Sequence, residues 1–174
     1  MCIADMQWLW TFGRVPELEA IHILDVSNRI ISLSPIQRSS PTAPRIIDVR
    51  TRAEYNAGHI PGALNASFLP PWSWPSRVEP LLRGVDPGTE LYVICLSAHR
   101  SIGALKWLRA RGFSNAKQLK GGMQAWRSQR LIEVKEDGSA WQCAAPAASG
   151  TTSCDVPCTG CHRAQHKGCN VSDN

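Results

Sequence analysis

The side chains best suited to covalent chemistry lie together in Cys95-Leu-Ser-Ala-His-Arg-Ser101. A thiolate is an intrinsically strong nucleophile, and His99 and Arg100 add positive potential that suits an anionic substrate. The run before it, Leu91-Tyr-Val-Ile94, is apolar and β-favouring, and a helical pattern begins near Ser101. The thiol is therefore expected at the carboxyl end of a strand and against a helix N-terminus, the edge where ligands bind in open α/β sheets. The helix N–H groups and macrodipole favour negative charge there. Backbone N–H groups of Leu96, Ser97, Ala98, His99, Arg100 and Ser101, closing onto the helix, are expected to cradle an anion. The plainer alternative is an inert cysteine ending a core strand, a common role for a free Cys.

The elements that must position this loop alternate along the chain. Arg45-Ile-Ile-Asp-Val49 reads as a buried strand, and residues 63–66 and 116–119 as shorter ones. Residues 29–33 read as another strand, and residues 16–24 offer a short helix whose apolar positions match no single period. Helices are expected over residues 51–55, 76–82, 101–111 and 123–128. In the third, Ile102, Leu105 and Leu108 share a face and Gly112 is a suitable terminator. Trp72 and Trp74 lie among prolines, where packing over a sheet edge is favoured over facing solvent. Short apolar strands between amphipathic helices imply an α/β fold: a central parallel sheet flanked by helices on both faces. The expected division is an N-terminal extension at 1–28, a domain at 29–130 and a Cys-rich tail at 131–174.

Three stretches carry a family resemblance. Ile46-Ile-Asp-Val-Arg50, with Glu54-Tyr55 and Gly58-His-Ile-Pro-Gly-Ala63, resembles the entry motif of the rhodanese-like domain. The 95–101 stretch is similar to its active-site loop, and Leu119-Lys-Gly-Gly-Met-Gln-Ala-Trp126 to its closing motif. They occur in the family's order. The resemblance implies a thiosulfate sulfurtransferase: Cys95 takes sulfane sulfur from thiosulfate or a persulfide donor, becomes a persulfide, and passes the sulfur to a thiol or to cyanide. It implies Arg100 as the main group for substrate charge, with no metal and no organic cofactor. Asp48 and Arg50 are expected to support the loop through hydrogen bonds, and Glu54 and His59 to pin a helix and turn. The Ser101 hydroxyl is open to two readings, a bond to the persulfide or a helix N-cap.

Loop length separates this chemistry from its neighbour. Four residues lie between Cys95 and Arg100, one fewer than in phosphatases of related fold. The tighter loop suits a single sulfur atom, so phosphate-ester and arsenate chemistry are disfavoured. One residue departs from the family's pattern. Ala98 stands where glycine is frequent, and a left-handed backbone there costs an alanine about 1 kcal/mol. The competing class is a non-catalytic rhodanese-fold module for binding or regulation.

The tail segment Ser153-Cys-Asp-Val-Pro-Cys-Thr-Gly-Cys-His-Arg-Ala-Gln-His-Lys-Gly-Cys169 holds potential zinc ligands: Cys154, Cys158, Cys161, His162, His166 and Cys169. Their spacing matches no zinc motif, and a flexible tail is the preferred expectation. Of seven cysteines, five follow Gln142, which is not a disulfide framework spread over a fold. A reducing compartment is expected, the cytoplasm first and the mitochondrion as alternative. The patch at residues 6–12 lacks a basic region before it, unlike a signal peptide, and Asp5, Glu17 and Glu19 disfavour a mitochondrial presequence. The charge of +5 is scattered, so nucleic acid is not an expected partner, and no apolar run reaches the roughly 18 residues of a membrane span. The expected partners are a small anionic sulfur donor and a thiol acceptor, including an acceptor protein.

Overall fold

The computed structural model describes residues 15–135 and the short strand Ala140–Trp141. Among them, five strands form one parallel sheet: β1 (Glu17–Leu18), β2 (Arg45–Asp48), β3 (Ala63–Asn65), β4 (Leu91–Ile94) and β5 (Ala116–Leu119), in the order β1-β5-β4-β2-β3. β4 lies at the centre and is buried along its whole length. Residues alternate between the two sheet faces, as a pleat requires. Ile47, Val49, Leu91, Val93 and Cys95 join one core, with Val78 and Leu82 of helix α4 (Trp74–Leu82) and Leu105 and Leu108 of helix α5 (Arg100–Ala110). Ile46, Tyr92 and Ile94 join the other. It includes Ile23, Val26 and Ile30 of α1 (Ala20–Ser32), Tyr55 of α3 (Arg52–Ala57), and Met123 and Trp126 of α6 (Gly122–Ser128). Helices thus cover both faces of the sheet, as expected.

The largest departure is at the N-terminal side. Residues 29–33, read as a strand, complete helix α1, and Glu17–Leu18 pairs in parallel with β5 at Gln118 and Leu119. The β-branched Ile30-Ile31 pair suggests a strand locally. In the helix it extends a buried face, Ala20, Ile23, Val26, Ser27 and Ile30, whose spacing is helical. The packed body therefore takes in residues assigned from sequence to an N-terminal extension. In α5 the buried face runs through Ser101, Ala104, Leu105 and Leu108, with Ile102 at its half-buried margin. The two tryptophans part company: Trp74 is fully buried, its Nε1 donating to Ala66 O at 3.0 Å, whereas Trp72, in a 3-10 turn (Pro71–Ser73), is 71% exposed.

Three short elements complete the described chain. Helix α2 (Pro35–Arg38) links α1 to β2, and β6 (Glu133–Val134) pairs antiparallel with β7 (Ala140–Trp141). His59 bridges to Val134 through two backbone hydrogen bonds, 3.0 and 2.9 Å. No helix among the described residues is long and apolar enough to cross a membrane. The tail residues named as potential zinc ligands lie outside the described residues.

Candidate active site

Strand β4 ends at Ile94, whose carbonyl accepts from Val49 N–H at 2.8 Å, and Cys95 follows at once. The chain then turns through 96–99 and enters α5 at Arg100. Cys95 is 1% exposed, the only cysteine among the described residues, and not in a disulfide. The helix N-cap is His99, with no side-chain cap bond. Ser101 therefore does not cap the helix. Its hydroxyl, fully buried, donates to Gln118 Oε1 at 2.6 Å, and Gln118 Nε2 donates onward to Glu17 Oε1. A hydroxyl has one proton to give. That proton is committed to Gln118, which corrects the expectation of a donation to the persulfide and leaves Ser101 only its backbone N–H for that purpose.

The start of the loop is held through its carbonyls by the closing motif. Met123 N–H donates to Cys95 O at 2.8 Å, and Gln124 N–H to Leu96 O at 3.1 Å. Gly122 makes this approach possible: its φ is +61°, and a Cβ there would collide with the carbonyl of Cys95 and stand 2.7 Å from the Leu96 backbone. Two successive left-handed glycines, Gly121 and Gly122, thus have a sequence signature and a structural cause. Ala98 has φ +62°, the left-handed conformation anticipated for that position. The loop N–H groups of Leu96, Ser97, Ala98, Arg100 and Ser101 donate to no described protein acceptor, while Ser97 Oγ and His99 Nδ1 share a bond of 2.9 Å.

Arg100 does not stand unpaired before the loop. Its Nη1 and Nη2 donate to Glu54 Oε2 and Oε1 at 2.8 and 2.7 Å, a bidentate pair. Glu54 also accepts from Thr51 N–H at 3.0 Å and Thr51 Oγ1 at 2.7 Å, and Thr51 Oγ1 in turn accepts from Glu54 N–H at 3.3 Å, closing a capping box on α3. The Arg100 hydrogen bond, ahead of the Thr51 bonds, holds the Glu54 carboxyl at about 2, against an ordinary value of 4.5. The same bond raises the pKa of the Arg100 guanidinium, and the Cys95 sulfur adds to that rise by charge and hydrogen bonding. The cation is thus fixed at the start of α5 by a carboxylate on another element. The Thr51-x-x-Glu54 cap is visible in the sequence; the pairing of Glu54 with Arg100 carries no local signal.

Asp48 and Arg50 are both 1% exposed. Arg50 Nη2 donates to Asp48 Oδ2 at 2.6 Å and to Gly58 O at 2.8 Å, and Arg50 N–H donates to Asp48 Oδ1 at 2.9 Å. Asn65 Nδ2 donates to the carbonyls of Asp48 and Arg50, both at 3.0 Å. These bonds brace the corner from which α3 springs, and none reaches residues 95–101. His59 stacks on Tyr55, ring centroids 3.6 Å apart, with Nδ1 bonded to Tyr55 O at 2.9 Å.

Comparison with known proteins meets this geometry. A protein named Sulfurtransferase from Allochromatium vinosum is 33% identical over 112 residues, covering 64% of this chain and 98% of that protein. Thiosulfate sulfurtransferase GlpE of Pseudomonas fluorescens is 28% identical over 94 residues, 54% of this chain and 80% of the relative. The adenylyltransferase and sulfurtransferase uba4 of Ogataea parapolymorpha is 30% identical over 108 residues, but the chain covers only 25% of that longer protein. Among solved structures, the Alr3790 protein of Anabaena sp. superposes with a TM-score of 0.50 at 27% identity, over 68% of this chain and 91% of that one. Residues 34–129 match the model of the rhodanese-like domain. With that match spanning more than half of its length, the chain belongs to the rhodanese-like domain family.

Proposed function

We propose that this chain is a sulfurtransferase in which Cys95 carries the transferred sulfur as a persulfide. The observation that supports it best is a buried thiol at the end of β4 followed by a loop in which the N–H groups of Leu96, Ser97, Ala98, Arg100 and Ser101 donate to no described acceptor, with the Arg100 guanidinium fixed at the start of α5 by Glu54. The Cys95 thiolate attacks the sulfane sulfur of thiosulfate or of a persulfide donor. The donor S–S bond breaks, and sulfite or a thiolate leaves with the electron pair. The new Cys95–S–S⁻ anion is stabilised by the N–H groups of residues 96–101 and by α5's N-terminal dipole. An acceptor thiolate or cyanide then attacks the outer sulfur, and the Cys95 thiolate departs with the electron pair. Arg100 offsets the charge of donor and leaving group, with Glu54 keeping its guanidinium in place. Burial around Cys95 keeps water from the persulfide.

The test is mass spectrometry of the full-length protein after exposure to thiosulfate. It should gain one sulfur atom on Cys95 and release thiocyanate when cyanide is added, and a Cys95→Ser variant should do neither. A variant that transfers sulfur as well as the parent refutes the assignment. The second reading, a non-catalytic module, draws on the 1% exposure of Cys95 within a core cluster. A Cys95 no more reactive toward a small haloacetamide near neutral pH than glutathione favours that reading.

A further inference from the structure

The charges at the candidate site bear on which sulfur donor it takes. Arg100 is the arginine that the loop itself delivers to the start of α5, and both of its terminal nitrogens are committed to one carboxylate, Glu54, at 2.8 and 2.7 Å. Glu54 is fixed in turn at the third position of α3, where Thr51 N–H and Thr51 Oγ1 both donate to its Oε2. Its carboxyl, held at about 2, is ionised throughout the neutral range. The pair is partly exposed, 22% for Arg100 and 31% for Glu54, so an approaching anion meets a cation and a carboxylate together. Other basic groups of the motif residues are matched in the same way. Arg50 pairs with Asp48 at 2.6 Å and Lys120 with Glu19 at 2.8 Å, while Arg52 lies over the Tyr55 ring, 5.5 Å from its centroid.

A capping box needs the Glu54 carboxylate only as an acceptor at the helix start. The two-pronged bond to Arg100 is additional, and it has an electrostatic consequence. An anion touching the guanidinium on the side away from Glu54 stands about 4 Å from the cation and about 8 Å from the carboxylate. The carboxylate therefore cancels about half of the cation's attraction. That loss scales with the charge of the donor. Each further negative charge weakens association about twofold at the dielectric of bulk water, and about thirtyfold at an effective dielectric of about 20.

We propose that Glu54 is a specificity-determining residue that turns the site away from doubly charged donors such as thiosulfate and toward sulfane donors bearing one negative charge, namely thiosulfonates and organic persulfides. The inference rests on the reading of Cys95 as the sulfur carrier and adds the charge class of the donor. The bond changes are the same for every donor. The Cys95 thiolate bonds the terminal sulfur, the donor S–S bond breaks, and sulfite, a sulfinate or a thiolate leaves with the electron pair.

The experiment compares thiosulfate with methanethiosulfonate, in which a methyl group replaces one charged oxygen, on the full-length protein at low ionic strength. Mass spectrometry reads the sulfur gained on Cys95, and thiocyanate release in the presence of cyanide gives kcat/KM for each donor. The readout is the ratio of the methanethiosulfonate value to the thiosulfate value, from which intrinsic donor reactivity cancels between variants. Glu54→Gln keeps the shape and the capping bonds without the charge, and should lower the ratio by about threefold or more. Arg100→Gln leaves the carboxylate alone and should raise the ratio by at least about as much, whereas Glu54→Asp keeps the charge and should stay within about twofold of the parent. At about 1 M salt, where the screening length is about 3 Å, the ratios should converge. Equal ratios in the parent, Glu54→Gln and Arg100→Gln at low salt would show that Glu54 only braces Arg100; they overturn the inference and leave Cys95 as the sulfur carrier. A ratio that rises in Glu54→Gln does the same. No sulfur on Cys95 from either donor overturns the underlying reading and this inference with it.

Discussion

Replacing Ala98 by glycine is the sharpest probe of the loop, because the structure and elementary sterics fix both the sign and the size of the effect. Ala98 sits at φ +62°, where an L-residue's Cβ crowds the following carbonyl at a cost of about 1–2 kcal/mol. Glycine removes that cost. It also adds freedom to the unfolded chain, which opposes folding by about 0.4–1 kcal/mol. The net expectation is stabilisation of about 0.5–1 kcal/mol, a rise of about 1–4 °C in melting temperature for a chain of this size. Ala98→Val should move the other way by more than 1 kcal/mol, roughly, since a β-branched side chain at positive φ is a genuine outlier. Thermal unfolding of the parent and both variants under one buffer condition measures all of this. A glycine variant that melts lower than the parent, with the valine variant unchanged, refutes a left-handed backbone at position 98. The same backbone aims the loop amides, so Ala98→Gly is also expected to keep or raise the rate of persulfide formation.

Two further perturbations test the elements that hold the loop. Glu54→Gln removes a carboxyl held at about 2 instead of 4.5, foremost by Arg100. A carboxylate whose pKa falls on folding gives stability that is complete above its unfolded value and is lost as pH drops through its folded one. The advantage of the parent over Glu54→Gln should therefore be constant above about pH 5 and vanish between pH 4.5 and about 2. The full shift corresponds to about 3 kcal/mol, which the partial exposure of the pair reduces to about 1–2 kcal/mol. Melting temperatures across that range settle it, and a gap that stays constant down to pH 2 refutes it. Gly122→Ala sets a Cβ against the backbone of Cys95 and Leu96, whereas the Cβ of Gly121→Ala meets the Ala125 side chain at 2.9 Å. Both should destabilise by about 1–3 kcal/mol through left-handed strain, but only Gly122→Ala should sharply slow sulfur loading of Cys95. Equal loading rates in the two variants contradict the role given to Gly122.

The local patterns were informative wherever a segment's fate depends on its own residues. Leu91-Tyr-Val-Ile94 is apolar throughout and became the central buried strand, which put Cys95 at its carboxyl end with a helix opening after it. The alanine at the family's glycine position pointed to a left-handed backbone at Ala98, whereas the positive φ of Gly121 and Gly122, quoted from sequence only as part of the closing motif, emerged from the structure. Residues 29–33 misled because Ile30-Ile31 has β-propensity, and only packing against the sheet selects the helical face that begins at Ala20. Trp72 and Trp74 have similar neighbours, yet one is exposed and the other buried, since a single turn of chain rotates them to opposite sides.

The sequence alone determined the alternation of strands and helices, the place of the thiol at a strand end and the tightness of its loop. Each of these is written in contiguous residues through side-chain period, β-branching and glycine. Only the tertiary structure decided which partner each polar group takes: Glu54 for Arg100, Gln118 and then Glu17 for Ser101, Gly58 for Arg50, and none for Arg45 Nε. Those pairings depend on the strand order β1-β5-β4-β2-β3, which brings chain positions far apart in sequence side by side. Hydrogen bonds are short and directional, so a partner is chosen by position in space, and no local period encodes that position.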